Sequence, residues 1–150
     1  MIAMEVKIKK LNKNAIVPYK KYEKDFCYDV VATSCEEIHE DVYKYGIGLA
    51  FEIDRKQKYA NLNVSIDFRP RSSVWKTGLV LSNCEGTIDE LYRGEVCAVF
   101  YHVVKDLEPY KVGDRIGQIK IGLTEPISFD VVEELSETER GDGGYGSTGK

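Results

Sequence analysis

Histidine is scarce in this sequence. The only two are His39 and His102, and the four cysteines, Cys27, Cys35, Cys84 and Cys97, form no C-x-x-C pair. That spacing excludes an ordinary zinc site. In a reducing compartment the cysteines are expected to be small, buried apolar residues. No hydrophobic run is long enough to span a membrane. The N-terminal stretch MIAMEVKIKKLNKN alternates apolar and polar residues and lacks the continuous block of a secretion signal. The chain is therefore expected to be soluble, intracellular and cytoplasmic. An excess of positive charge is also missing. The formal net charge is -4, which gives no reason to expect direct nucleic-acid binding. An anionic substrate would have to meet local positive charges. Long helical periods are absent as well. The best candidate is SCEEIHEDVYKYG, with Ile38, Val42 and Tyr45 at helical spacing, and it could equally be a polar loop between strands.

What is present is a period of two. MEVKIKK places Met4, Val6 and Ile8 on one face. GIGLAFEID, ANLNVSIDF, GEVCAVFYHV, DRIGQIKI and ISFDVVEE also have the pattern of strands. Val, Ile, Tyr and Phe fill them, as a pleated, half-buried surface prefers. At 150 residues the chain suits one domain with a real core. Many short strands with turns between them predict an all-β antiparallel sandwich or barrel. The end of the chain differs: LSETERGDGGYGSTGK is polar and Gly-rich, and is expected to be a mobile tail.

That tail imitates a phosphate-binding loop. A Walker-type loop, however, needs a Ser or Thr after its Gly-Lys and a helix behind it. Gly149-Lys150 has neither in this sequence, so a P-loop is rejected, and the dinucleotide fingerprint fails for the same reason. Two readings of the tail remain. One is a disordered solubilising segment. The other is a flap over a bound polyphosphate, with glycine backbone amides against the phosphates. Arg140 would then add a positive charge, and Tyr145 a flat face for a base.

Other segments carry polar groups suited to a nucleotide. RPRSSVWKTGLVLSN holds Arg69, Arg71, Ser72, Ser73 and Asn83. Arginine can grip phosphate oxygens bidentately, and serine can donate to them. GTIDELYRGE places Asp89 three residues before Tyr92, GDRIGQI supplies Asp114, Arg115 and Gln118, and CYDVVAT supplies Asp29. Taken singly, each has a commoner explanation as a buried Arg–Asp pair or a solvated turn.

In this order, the segments resemble the five motifs of the trimeric dUTP diphosphatases (dUTPases). YDVVA is similar to the first motif, PRSSV to the second, GTIDELYRGE to the third, GDRIGQI to the fourth and RGDGGYGSTG to the fifth. Cys27 stands where glycine is usual in that family, and Tyr145 where phenylalanine is more common. The region from Ser34 to Asp67 lacks the family's proline- and glycine-rich turns.

The resemblance implies a jelly-roll barrel over residues 1–135 and a flexible lid over 136–150. It implies hydrolysis of dUTP to dUMP and pyrophosphate, which limits uracil misincorporation into DNA and supplies dUMP for thymidylate synthesis. It makes Asp89 the general base for the attacking water, a role open to an ionised aspartate. Arg71 and Ser72 would meet the phosphates and Arg140 their γ end, with Gln118 nearby and Ser73 also among the substrate-binding residues. The segment from Asn83 through Gly86, Thr87 and Ile88 to Cys97 would bind uracil through backbone amides and the Asn83 side chain. Tyr92 would pack under the deoxyribose, and Tyr145, with Gly146, Ser147 and Thr148, would close over the nucleotide. Mg2+ would bridge phosphate oxygens, with Asp29 touching it through water. Arg115 and Asp114 could instead form a supporting ion pair. The partners implied are dUTP and two further copies of the chain. Two alternatives differ in class: a dCTP deaminase of the same fold, which would need a different third motif, and a nucleotide-gated regulatory binding protein.

Overall fold

The computed structural model describes residues 4–54 and 59–144. Ten strands follow one another: β1 Glu5–Lys10, β2 Tyr28–Val31, β3 Ser34–His39, β4 Val42–Gly46, β5 Leu49–Asp54, β6 Asn63–Arg69, β7 Leu79–Leu81, β8 Gly86–Asp89, β9 Cys97–His102 and β10 Arg115–Thr124. A 3-10 turn at Val74–Thr77 leads into β7. No α-helix occurs among the described residues, and none of their helices is long and apolar enough to cross a membrane. The expected all-β class is therefore what the chain forms.

Every strand pairing is antiparallel. One four-stranded sheet runs β2-β10-β6-β8, the other β3-β4-β9-β7, and β1 pairs with β5. The period-two pattern explains the core. On β6, Val64, Ile66 and Phe68 are buried, and on β9, Ala98, Phe100 and His102 are buried. Phe68 of one sheet meets Phe100 of the other edge-on at 6.4 Å, and Phe100 meets Tyr45 at 5.8 Å. Edge-to-face pairs of this kind add to the area they bury. Met4, Val6 and Ile8 pack against the core along β1, as their alternation predicts. At Gly117 on β10 a Cβ would stand 2.1 Å from the Phe68 ring, so only glycine lets that ring lie flat there.

Three expectations fail. SCEEIHEDVYKYG is neither helix nor loop but the β3–β4 hairpin, turning at Asp41 with φ 60. All of β3 is solvent-exposed, so no apolar face recorded its strand period. ISFDVVEE forms no strand. Ile127, Phe129 and Val131 are 74%, 88% and 97% exposed. Alternation marks a face able to pair, but a strand needs a partner, and the described residues of this chain offer none. The cysteines are not buried: Cys35 and Cys84 are exposed, Cys27 and Cys97 half-buried, and all four are free thiols. Cys35 lies on exposed β3, and Cys84 in a turn with φ 58.

Candidate active site

Strand β8 lies at the edge of its sheet, paired among the described residues only with β6. Its burial alternates, so Gly86 and Ile88 turn inward while Thr87 and Asp89 face out. In an antiparallel pair, alternate backbone groups of an edge strand point away from the neighbour. These groups form a ready hydrogen-bonding edge. Ile88 packs on the core and fixes the strand's height. Asn83 sits at the head of the strand. Its amide nitrogen lies 3.7 Å from where a Cβ on Gly86 would be.

The chain after Asp89 folds back at once. The Asp89 carbonyl accepts the Tyr92 N–H at 3.0 Å, and the Tyr92 hydroxyl donates to the Glu95 carbonyl at 3.1 Å. A Cβ on Gly94 would stand 2.3 Å from the Tyr92 hydroxyl oxygen, so glycine is what allows the phenol to lie across the turn. Glu95 ties this turn to the core: its carboxylate accepts the Gly48 N–H at 2.7 Å. The Val96 N–H bonds the Leu49 carbonyl at 3.0 Å. The result is a cleft of about 390 Å³ lined by Thr87, Ile88, Asp89, Tyr92 and Cys97, with Lys44 of β4 at its side. Burial pushes the Cys97 thiol up, with the Glu95 charge adding to it and Lys44 opposing. The thiol is thus a neutral wall of the cleft. Sequence reasoning missed both Lys44 and Glu95, since a lone lysine in YKY and a glutamate after a turn glycine carry no distinctive signal.

A second polar group forms where β2, β10 and β6 run side by side. Asp29, Gln118 and Arg69 are directly opposite one another. Directly paired residues share a face. The Asp29 carboxylate is buried and accepts from Arg115 at 2.9 Å and from Gln118 at 3.0 Å. The expected Arg115–Asp114 ion pair is replaced by this one: Arg115 stands opposite Val31, and its side chain reaches along β2 to Asp29, two residues away. Asp114 instead accepts the Lys111 N–H at 2.7 Å. Arg69 is held by Glu85 at 2.7 Å. Arg71, Ser72 and Ser73 follow β6, and the Arg71 and Ser73 carbonyls accept from Val74 and Lys76 to start the 3-10 turn. Arg71 and Arg115 line a cleft of about 680 Å³, together with Tyr110.

The expected residues thus fall into two groups. Thr87, Ile88, Asp89, Tyr92 and Cys97 share one cleft, and Arg71 and Arg115 share the other, with no lining residue in common. Arg140 lies on the exposed tail, where its side chain donates to the Gly143 carbonyl at 2.8 Å. Tyr145, Gly146, Ser147 and Thr148 lie outside the described residues. Among the described residues no group of three His, Cys, Asp or Glu side chains is placed to hold a metal ion.

Comparison with known proteins places this geometry. The family model described as dUTPase matches residues 13–149. A deoxyuridine 5'-triphosphate nucleotidohydrolase of Nautilia profundicola is 37% identical over 149 residues, covering 98% of this chain and 100% of that protein. The enzyme of the same name from Corynebacterium glutamicum is 36% identical over 156 residues, covering 97% and 95%. Among solved structures, the dUTPase of Staphylococcus bacteriophage 80alpha with dUPNHPP superposes with a TM-score of 0.77 at 23% identity, covering 97% of this chain and 99% of that one. A dUTPase from phage phi11 of S. aureus, described with a structural Mg(II) ion, gives 0.67 at 19% identity, covering 89% and 99%. These likenesses fix the fold as the jelly roll of such proteins. A match running from Lys13 nearly to the end of the chain, with relatives more than a third identical along almost all of it, means that this chain belongs to the dUTPase family.

Proposed function

We propose that this chain hydrolyses dUTP to dUMP and pyrophosphate, with Asp89 as general base. The observation that carries the reading is the outward-facing Asp89 at the end of the free β8 edge, with Tyr92 beside it, in a chain of this family. Uracil pairs along the β8 edge through backbone groups and the Asn83 amide. Cytosine offers a donor where uracil offers an acceptor, so a buried group would go unpaired, a mismatch that can cost roughly 10^4-fold. The Tyr92 ring, held across Gly94, packs under the deoxyribose and leaves no room for a 2′-hydroxyl. Asp89 orients the water that attacks the α-phosphorus and takes its proton. Arg71 and the Ser72 and Ser73 hydroxyls neutralise the leaving pyrophosphate. Gln118 works through Asp29, to which it is bonded.

Magnesium fits as an ion carried by the polyphosphate. No protein cage exists among the described residues. The Asp29 carboxylate, with one donor on each oxygen, keeps lone pairs for the ion's water shell. When bound, the ion supplies charge neutralisation at the phosphates.

The working unit in this reading is a threefold homotrimer. Two separate clefts on one chain suit sites completed between subunits. The exposed Ile127, Phe129, Val131 and Leu135 suit an arm that packs on a neighbour. On this division residues 1–135 form the barrel with its arm, and 136–150 the lid that brings Arg140 and Tyr145 over the nucleotide. The test is a nucleotide panel with pyrophosphate detection. Hydrolysis of dUTP with little turnover of dCTP, dTTP or UTP is expected. Ammonia release from dCTP, or comparable kcat/KM for UTP and dUTP, would refute the reading.

A further inference from the structure

Lys44 stands between Tyr43 and Tyr45 on β4. Tyr45 is fully buried and Tyr43 packs against the core, so the alternation of the strand turns Lys44 to the opposite face of the sheet. On that face β9 is paired so that Gly46 is opposite Cys97 and Lys44 opposite Val99. Lys44 and Cys97 are thus diagonal neighbours, roughly 7–8 Å apart along the sheet. Between them Gly46 leaves a gap: a Cβ there would stand 2.4 Å from a Glu95 carboxylate oxygen. Lys44, Glu95 and Cys97 line the Asp89 cleft from the side of β4 and β9, and Thr87 and Asp89 line it from β8.

Several polar groups of this cleft are already committed. The Glu95 carboxylate accepts the Gly48 N–H, and the Tyr92 hydroxyl donates to the Glu95 carbonyl. Lys44 is different. It is exposed and has no carboxylate partner among the described residues, although Glu36 of β3 is directly opposite it. An ammonium offers three donors and no acceptor, so its ligand has to be an acceptor. The other charged residues lining the cleft, Asp89 and Glu95, are both acidic. A phosphate brought to Asp89 therefore meets like charge, and such repulsion is felt over several ångströms. Arg71 and Arg115 line the second cleft, which shares no residue with this one. Lys44 is the cation lining the Asp89 cleft.

We infer that Lys44 is a binding residue for the α-phosphate of the nucleotide, its ammonium donating to a non-bridging oxygen on the phosphorus that the Asp89 water attacks. The inference rests on the dUTP-hydrolase reading for the identity of the anion. The lysine offsets the repulsion between the base carboxylate and the phosphate, and it draws electron density from the attacked phosphorus as a charge-assisted donor. The division of labour follows the two clefts: Lys44 serves the phosphate that stays on the nucleoside, and Arg71 the pyrophosphate that leaves.

The test uses Lys44→Met, which keeps an unbranched stem and removes the charge, beside Lys44→Arg, which keeps the charge. Affinities of wild type and both variants are measured by calorimetry, in magnesium, for deoxyuridine, dUMP and inorganic pyrophosphate. Thermal midpoint and oligomeric state are recorded alongside. The expected result for Lys44→Met is about tenfold weaker binding of dUMP, with deoxyuridine, pyrophosphate, midpoint and assembly unchanged. Lys44→Arg is expected to recover most of the dUMP affinity. Equal dUMP affinity of wild type and Lys44→Met overturns the inference. An equal loss for deoxyuridine also overturns it, and sets the lysine against the base. A loss for pyrophosphate moves the contact to the other end of the nucleotide, and a loss that arginine leaves unrepaired makes the role one of shape; either result overturns the inference, as does a change of assembly state. Failure of the wild type to turn over dUTP refutes the functional reading instead. The comparison of dUMP with deoxyuridine needs no turnover, so the two failures are distinguishable.

Discussion

At Asp89, side-chain direction and chemistry coincide. The alternation of β8 turns this carboxylate outward, and the bond from the Tyr92 N–H holds the backbone beneath it. Asp89→Asn keeps the shape and removes the proposed base. Turnover of dUTP is expected to fall about a hundredfold or more, with affinity for a non-hydrolysable analogue retained. Near-normal kcat would take Asp89 out of the mechanism. A different carboxylate governs stability. Asp67, buried on β6, accepts from Lys120 and from Ser65. Burial alone would raise its pKa, but these bonds outweigh it and hold the carboxyl below the usual value. Its contribution is present above the unfolded value of about 3.9 and is lost as pH falls through the lower folded value. In Lys120→Met the charge stays buried without its cation, which costs about 3 kcal/mol at neutral pH. Protonation of Asp67 then relieves the variant, so the gap to wild type narrows toward pH 4. Urea unfolding at both pH values checks this, and a constant gap would mean that another group is responsible. The grouping of single residues was legible in the sequence where a motif surrounded them, as with Asp89 and Tyr92, which line one cleft. The Asp29–Arg115 pair was not, because it joins residues 86 apart through a register no motif records.

Among the elements, the turn from Asp89 to Val96 depends on one carboxylate. Glu95 reaches from the cleft to the Gly48 N–H in the connection between β4 and β5. Glu95→Ala leaves that buried N–H unmet and is expected to cost about 1–3 kcal/mol. KM for dUTP should rise more than kcat falls, since the cleft's floor is loosened while Asp89 stays on β8. Chemical denaturation and steady-state kinetics check both parts, and a variant as stable as wild type would refute the role given to Glu95. Strands with one buried face, such as β6 and β9, were legible because burial leaves a period of two. The β3–β4 hairpin was not, because exposure on every side removes the constraint that writes such a period. Ile38, Val42 and Tyr45 fell at helical spacing by coincidence: Ile38 is exposed, Val42 half-buried and Tyr45 fully buried.

For the whole molecule, the two clefts and the outlying tail make a strong demand. If Asp89 comes from one subunit and the lid from another, two inactive variants can repair each other. Asp89→Asn and a truncation before Arg140, unfolded and refolded together in equal amounts, should restore about a quarter of the sites when mixing in the ring is random. Activity at that level, with mixed trimers seen by mass spectrometry, is the expected outcome. Mixed trimers without activity would mean that each site is built within one chain. The alternation in ISFDVVEE was legible as a strand pattern, but one sequence cannot say whose sheet it would join. The free edge of β8 has a consequence of its own. A row of unsatisfied backbone groups at a sheet margin invites any passing strand, and proteins usually blunt such margins with charge, proline or cover. In the proposed reading the margin has to stay bare so that a base can dock on it. The feature proposed to recognise uracil would then also be the surface most open to illegitimate pairing between molecules, and a resident nucleotide would shield it: substrate and product would act as guardians against aggregation.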